Sequence, residues 1–206
     1  MNRTSSLVLA ALVAAAASIP ARAEDPHGYP SVTVQNREHF GHHELDVGVG
    51  ILPMDAFQKG FTISGAYTLR FDEVFGWEIG RVVHSFPFES GLADELRAFD
   101  LEPQAFEIPE TIITSSLVFA PIYWKGSLMN EGLVRGEILF VVGGGVGVFT
   151  RSTRGGFDVG MALRLYLSSW ASVRLDTRYL GFIEDRPDGL DVHSEIWIGL
   201  SLGIAP

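Results

Sequence analysis

The sequence predicts an all-β protein, an eight-stranded antiparallel up-and-down transmembrane β-barrel. Three observations carry this. Apolar and polar residues alternate with period two through most of the chain after residue 41, the polar positions hold carboxylates and arginines but no lysine, and glycine is abundant at 23 of 206 residues. Side chains of a strand point to opposite faces in turn, so alternation marks a sheet with two unlike faces. Each interior glycine costs a helix about 1 kcal/mol against alanine, which argues against a helix bundle.

The chain opens with a sorting signal. Arg3 precedes an apolar run from Leu7 to Ile19, and Ala21-Arg22-Ala23 is a small-x-small cleavage site. The run is 13 residues long, whereas a membrane-crossing helix needs about 20. Residues 1–23 therefore read as a cleavable signal peptide, 24–41 as a periplasmic N-terminal segment and 42–204 as the barrel. Cleavage leaves 13 basic against 25 acidic residues, a formal charge of -12. Binding to nucleic acid needs a basic footprint that this chain lacks. Without cysteine there is neither a disulfide scaffold nor a thiolate metal site.

Eight alternating runs follow, near 42–52, 61–71, 76–86, 111–122, 134–149, 156–167, 171–182 and 192–204. In the first, Leu45, Val47, Val49 and Ile51 oppose Glu44, Asp46, Gly48 and Gly50. In the second, Phe61, Ile63, Gly65, Tyr67, Leu69 and Phe71 oppose Thr62, Ser64, Ala66, Thr68 and Arg70. The third places Arg81 on the apolar face with Trp77 and Ile79, and a bulge at Gly80 would swing it inward. The fourth has little contrast and is expected to end at Pro121. The fifth carries Leu139 and Val141 on its polar face. Phe157 to Leu167 and Ile196 to Ile204 alternate cleanly.

Composition decides which face lies inside. A soluble lipocalin-like barrel puts its apolar face inward, and a membrane barrel reverses this. The polar faces carry Glu44, Asp46, Arg70, Glu78, Glu137, Asp158, Arg164, Arg174, Asp176, Arg178 and Glu195 among small residues. Arginine suits enclosed, multiply hydrogen-bonded pairs, and an eight-stranded interior is only wide enough for side chains to fill. These eleven residues are expected to form a paired network plugging the lumen. Phe71, Trp77, Tyr123, Trp124, Trp170 and Tyr179 are expected to mark the membrane interfaces. Short links at 72–75 and 168–170 alternate with longer ones at 87–110 and 183–191, as short periplasmic turns alternate with external loops. The link at 123–133 is long for a turn. The C-terminal Gly199-Leu200-Ser201-Leu202-Gly203-Ile204 resembles the signal read by the outer-membrane assembly machinery, without its usual terminal aromatic.

From about Val32 to Ile204 the chain resembles the outer membrane β-barrel domain family of myxobacterial-type Gram-negative bacteria, a small OmpA/OmpX-like barrel. The resemblance rests on Val34-Gln35-Asn36-Arg37, Glu44-Leu45, Met54-Asp55-Ala56-Phe57 and Ala66-Tyr67. It continues in Phe119-Ala120-Pro121-Ile122-Tyr123-Trp124-Lys125, with Trp124 where glycine is commoner, then Gly143 to Gly147 and Arg174 to Arg178. It implies a small integral barrel with no catalytic residues to carry over.

Other candidate chemistry is weak. His42 and His43 precede Glu44, but adjacent strand residues point apart and do not easily share a metal. In His193-Ser194-Glu195 the serine faces away from the other two, against a hydrolase trio. The glycines at 143–147 lack the Lys-Ser/Thr of a phosphate loop. Residues 87–110 hold seven acids against Arg97 alone and read as a solvated external loop; as a divalent-cation site they lack the EF-hand pattern. No metal or cofactor is expected. The partners expected are outer-membrane lipid, lipopolysaccharide and the assembly machinery, for a monomer in the cell outer membrane. The rival readings are a narrow diffusion channel, a lipid A-modifying barrel enzyme and a soluble periplasmic binder. Membranes of expressing cells should retain the chain through carbonate extraction, with heat-modifiable migration in gels; release without detergent would favour the soluble binder.

Overall fold

The computed structural model describes residues 41–54, 58–89, 107–128, 132–186 and 189–205. The expected signal peptide, nearly all of the expected N-terminal segment and most of the 87–110 link lie outside the described residues. Arg37–Pro206 form one compact unit. It contains β1 (His43–Leu52), β2 (Gln58–Arg70), β3 (Phe75–Glu89), β4 (Pro109–Leu128), β5 (Gly132–Phe149), β6 (Thr153–Tyr166), β7 (Ala171–Arg186) and β8 (Gly189–Ile204). Each strand pairs antiparallel with the next and β8 closes on β1, so the sheet is a barrel in sequence order.

The register fixes the barrel's shape. Stepping through pairing partners from Asp46 leads to Ala66, Arg81, Thr114, Gly145, Gly156, Phe182 and finally His193. Asp46 itself pairs with Gly203 on β8. The offset, 203 minus 193, is a shear of ten residues. Eight strands with that shear tilt about 40° from the barrel axis and leave an interior that side chains fill.

The faces are inside-out relative to a soluble barrel. Val47, Ile63, Leu117, Val142, Met161, Leu175 and Leu202 stand exposed on the outside, while Asp46, Glu78, Glu137, Asp158, Arg174 and Asp176 are at most 1% exposed. Outside a membrane this would present an apolar surface around the whole circumference, far beyond what a soluble monomer shows.

Three irregularities re-aim side chains, one of them between Pro109 and Thr111 at the start of β4. The register slips between β2 and β3 at Tyr67/Thr68, where Ile79, next to Gly80, is the extra residue, and Glu78 and Arg81 both turn inward. This is the bulge that the misplaced Arg81 predicts. Another slip between Phe119 and Ile122 spans Pro121, so β4 does not end there but continues to Leu128. Proline lacks an N–H to donate to the ladder and is tolerated at a bulge.

The links are shorter than expected. The 123–133 link is almost all strand, with 129–131 left between β4 and β5. The 183–191 loop shrinks to 187–188, followed by Gly189 at φ +132°, a conformation that disfavours any other residue. Of the expected external loops only the β3–β4 connection remains long.

Leu163 lies outward on β6, three residues from its termini end, opposite Leu175. Leu163→Arg should lower folding free energy in lipid vesicles, by less than the about 2–4 kcal/mol that an arginine costs at the bilayer midplane. An unchanged unfolding midpoint would place that face away from lipid.

Candidate functional site in the barrel lumen

The lumen is filled in layers, named here from the termini end, where β1 starts and β8 stops, to the loop end. At the termini end Arg70 on β2 and Arg164 on β6 meet Glu44 on β1 and Glu137 on β5. Arg164 Nη1 lies 2.7 Å from Glu137 Oε1 and Nη2 lies 2.7 Å from Glu44 Oε1. Arg70 donates to both oxygens of Glu137 and lies 3.8 Å from Glu44. Two guanidinium groups thus balance two carboxylates.

The second layer is centred on Glu78. Its carboxylate accepts from Arg81 at 3.0 and 2.9 Å and from Arg178 at 2.9 Å, with Arg174 at 3.4 Å. Asp176 accepts from Arg174 at 2.8 Å and from Arg178 at 3.2 Å. Arg178 also reaches Asp158 at 3.0 Å, whose carboxylate takes the Ser116 hydroxyl at 2.9 Å, and Arg174 reaches Asp46 at 3.4 Å. Five strands contribute to this layer. The fixed donor fork of arginine allows one side chain to hold two or three carboxylates from different strands, which lysine's single ammonium does poorly.

The third layer is apolar. Leu52, Val83, Ile112, Phe149, Leu180, Phe182 and Trp197 form a buried cluster across the loop end of the lumen. Trp197 donates from Nε1 to Thr62 Oγ1 at 2.9 Å, and the Arg81 guanidinium lies 5.3 Å from its ring centre, joining cap to network. The indole fits because of Gly199 and Gly50: a Cβ on either would come within 2.3 or 2.9 Å of it. A smaller cluster of Val118, Ala120, Leu139, Val141 and Ala162 lines the wall from β4 to β6, which explains the apolar residues on the inward face of β5. The recess beside Glu44, Arg70, Arg164 and Tyr166 at the termini end measures about 10 Å³, room for one water.

All eleven expected network residues face this lumen. Ten lie in the two ionic layers, while Glu195 stands apart at the loop end, bonded to His193 at 2.9 Å. Arg81 was missing from the expected set because strict alternation points it outward; the bulge glycine is the signal that recovers it. The cap also escaped sequence reading, since Trp197, Leu180 and Phe182 are apolar residues on nominally polar faces.

Of the expected interface aromatics, Phe71, Trp77, Trp170 and Tyr179 are exposed on the outside, and Trp124 is half-buried over Gly136. Tyr123 is a correction. It is 7% exposed and faces inward, 6.4 Å from the Tyr166 ring, because the β4 slip at Pro121 inverts the alternation beyond it. His42 and His43 diverge, the first toward the Arg70 carbonyl and the second onto Tyr67. Ser194 turns outward to the Tyr179 hydroxyl, away from His193.

A closed antiparallel barrel, apolar outside and ionic inside, has the geometry of an integral membrane barrel of the outer-membrane type. No family model and no curated protein matches the chain. Among solved structures it is similar to Neisserial surface protein A, with 6% identity and a TM-score of 0.42 over 80% of this chain and 96% of that one. It is also similar to Ail, the attachment invasion locus protein of Yersinia pestis, with 12% identity and a TM-score of 0.37 over 80% and 97%. Likenesses this distant carry no function across.

The termini-end cluster isolates a testable pair. Arg164→Ala leaves Glu44 and Glu137 buried with Arg70 alone. It should cost about 3–5 kcal/mol, the usual penalty for breaking a buried ion pair from one side. Adding Glu137→Gln should recover part of that loss in a double-mutant cycle of unfolding in detergent or vesicles. Additive losses would mean that the two side chains do not interact.

Proposed function

We propose that this protein is a non-enzymatic, monomeric outer-membrane barrel with a side-chain-plugged lumen, serving envelope structure or interaction at the cell surface. The ordered sequence blocks from Val32 to Ile204 support placing it with the myxobacterial-type outer membrane β-barrel family. The observation that supports the plug is the stacking of two opposed barriers. A solute entering from the termini end meets five arginines tied to six carboxylates. Beyond them it meets an apolar layer that offers no hydration. Ions crossing it would have to break buried pairs and then shed water. In this reading both termini are periplasmic and the β3–β4 loop is external; an even strand number puts the two termini on one side of the membrane.

The rival with a specific footing is a narrow diffusion channel, since a chain of charged groups spans most of the lumen. Planar-bilayer recordings separate them. The wild-type protein should carry no steady current, and Phe149→Ala combined with Arg178→Ala should produce resolvable conductance steps. Steady ohmic current through the wild type would favour the channel.

A further inference from the structure

Beyond the apolar cap, the loop end of the barrel holds a cluster that neither ionic layer uses. Ile51 is the last β1 residue paired with β8, at Ile198, and β8 extends past it to Gly189. In this extension, past the part of the wall that closes on β1, His193 pairs across to Phe182 on β7. Its Nε2 lies 2.9 Å from Glu195 Oε1. Glu195 is 3% exposed, and its second oxygen has no hydrogen-bond partner among the described residues. Compensation for burying this carboxylate therefore rests on His193.

The same imidazole touches the closing side chain of the cap. The Phe149 ring meets His193 edge-on at 5.8 Å and Phe182 edge-on at 5.1 Å. Arg154 on β6 places its guanidinium 4.8 Å from the centre of the Phe149 ring. That guanidinium is held by Glu184 on β7 at 2.8 Å, by Glu107 at the foot of the β3–β4 loop and by the Ser152 hydroxyl at 3.1 Å. Phe149 is thus gripped by two cationic-capable groups, one permanently charged and one that titrates near neutrality.

We propose that this cluster is a pH-sensitive latch over the lumen. With His193 protonated, the His193–Glu195 pair fastens the β7–β8 end of the wall over Phe149; loss of the proton releases it.

The charges facing His193 set the direction. β8 supplies Glu195 and, two residues further out, Asp191; β7 supplies Glu184; β6 supplies Arg154; and β5 supplies only the uncharged Phe149. Glu107 acts through Arg154. Carboxylates outnumber the guanidinium. The hydrogen bond to Glu195 raises the imidazole pKa above its ordinary value, against partial burial and the Arg154 charge. A group raised in the folded state contributes stability in full below about pH 6.5, and that contribution disappears as pH rises through the folded value. A buried carboxylate facing a neutral imidazole then gains by moving toward water.

Hydrogen–deuterium exchange of the mature protein in phospholipid nanodiscs tests this, with rates corrected for the intrinsic effect of pH. Between about pH 5.5 and 8.5, segments 180–186 and 189–196 should lose protection about tenfold, while β2 stays level. His193→Gln should give the low-protection value at both pH values, and Glu195→Gln should give protection that no longer varies with pH. Flat wild-type protection across this range, or a pH dependence that survives in His193→Gln, overturns the latch.

Discussion

Everything in this protein follows from the absence of water in a bilayer. A backbone N–H or C=O facing hydrocarbon without a partner costs several kcal/mol, so a sheet that crosses lipid must close on itself. Closure of eight strands with a shear of ten then sets the width of the interior. It also divides the side chains into two populations by parity alone. One must dissolve in lipid, and the other must fill a narrow tube with no room for bulk water. The exposed Val47, Leu117 and Met161 and the buried Glu78, Arg174 and Asp176 are answers to the same condition.

Filling that tube with charge is costly unless every charge is paired. The choice of arginine is the solution. Arg178 touches Glu78, Asp158 and Asp176, drawing carboxylates from three strands onto one planar group. Six acids against five arginines leave the network close to neutral, and Glu195, which would have added to the excess, is partnered separately by His193. The network is biased toward the termini end and the apolar cap toward the loop end. A water-filled path would need both to give way. That asymmetry is the physical basis for reading the lumen as closed, with the titratable side chain at the outer mouth.

Much of this was legible beforehand, and the failures are specific. All eight strands were visible because a half-lipid, half-lumen strand has the strongest period-two contrast that a sequence can show. The inward turn of Arg81 was legible as a violation of that contrast beside a glycine. Tyr123 was misplaced because parity counting runs straight through Pro121, and the slip there reverses it. The links were overestimated at 123–133 and 183–191, where strands extend past the alternating core and the contrast fades with the change of surroundings.

By itself the sequence determined the strand number, the inside-out assignment and the identity of nearly all lumen charges. These depend only on local alternation and on which polar residues occupy it. Only the tertiary structure decided who pairs with whom. Arg174 and Asp46 are 128 residues apart, and Arg178 and Glu78 are 100 apart, joined by a shear and a cross-strand register that no local pattern encodes. It alone also gathered Leu52, Ile112, Phe149 and Trp197 into one layer. Each comes from a different strand, and closure of the barrel brings them together.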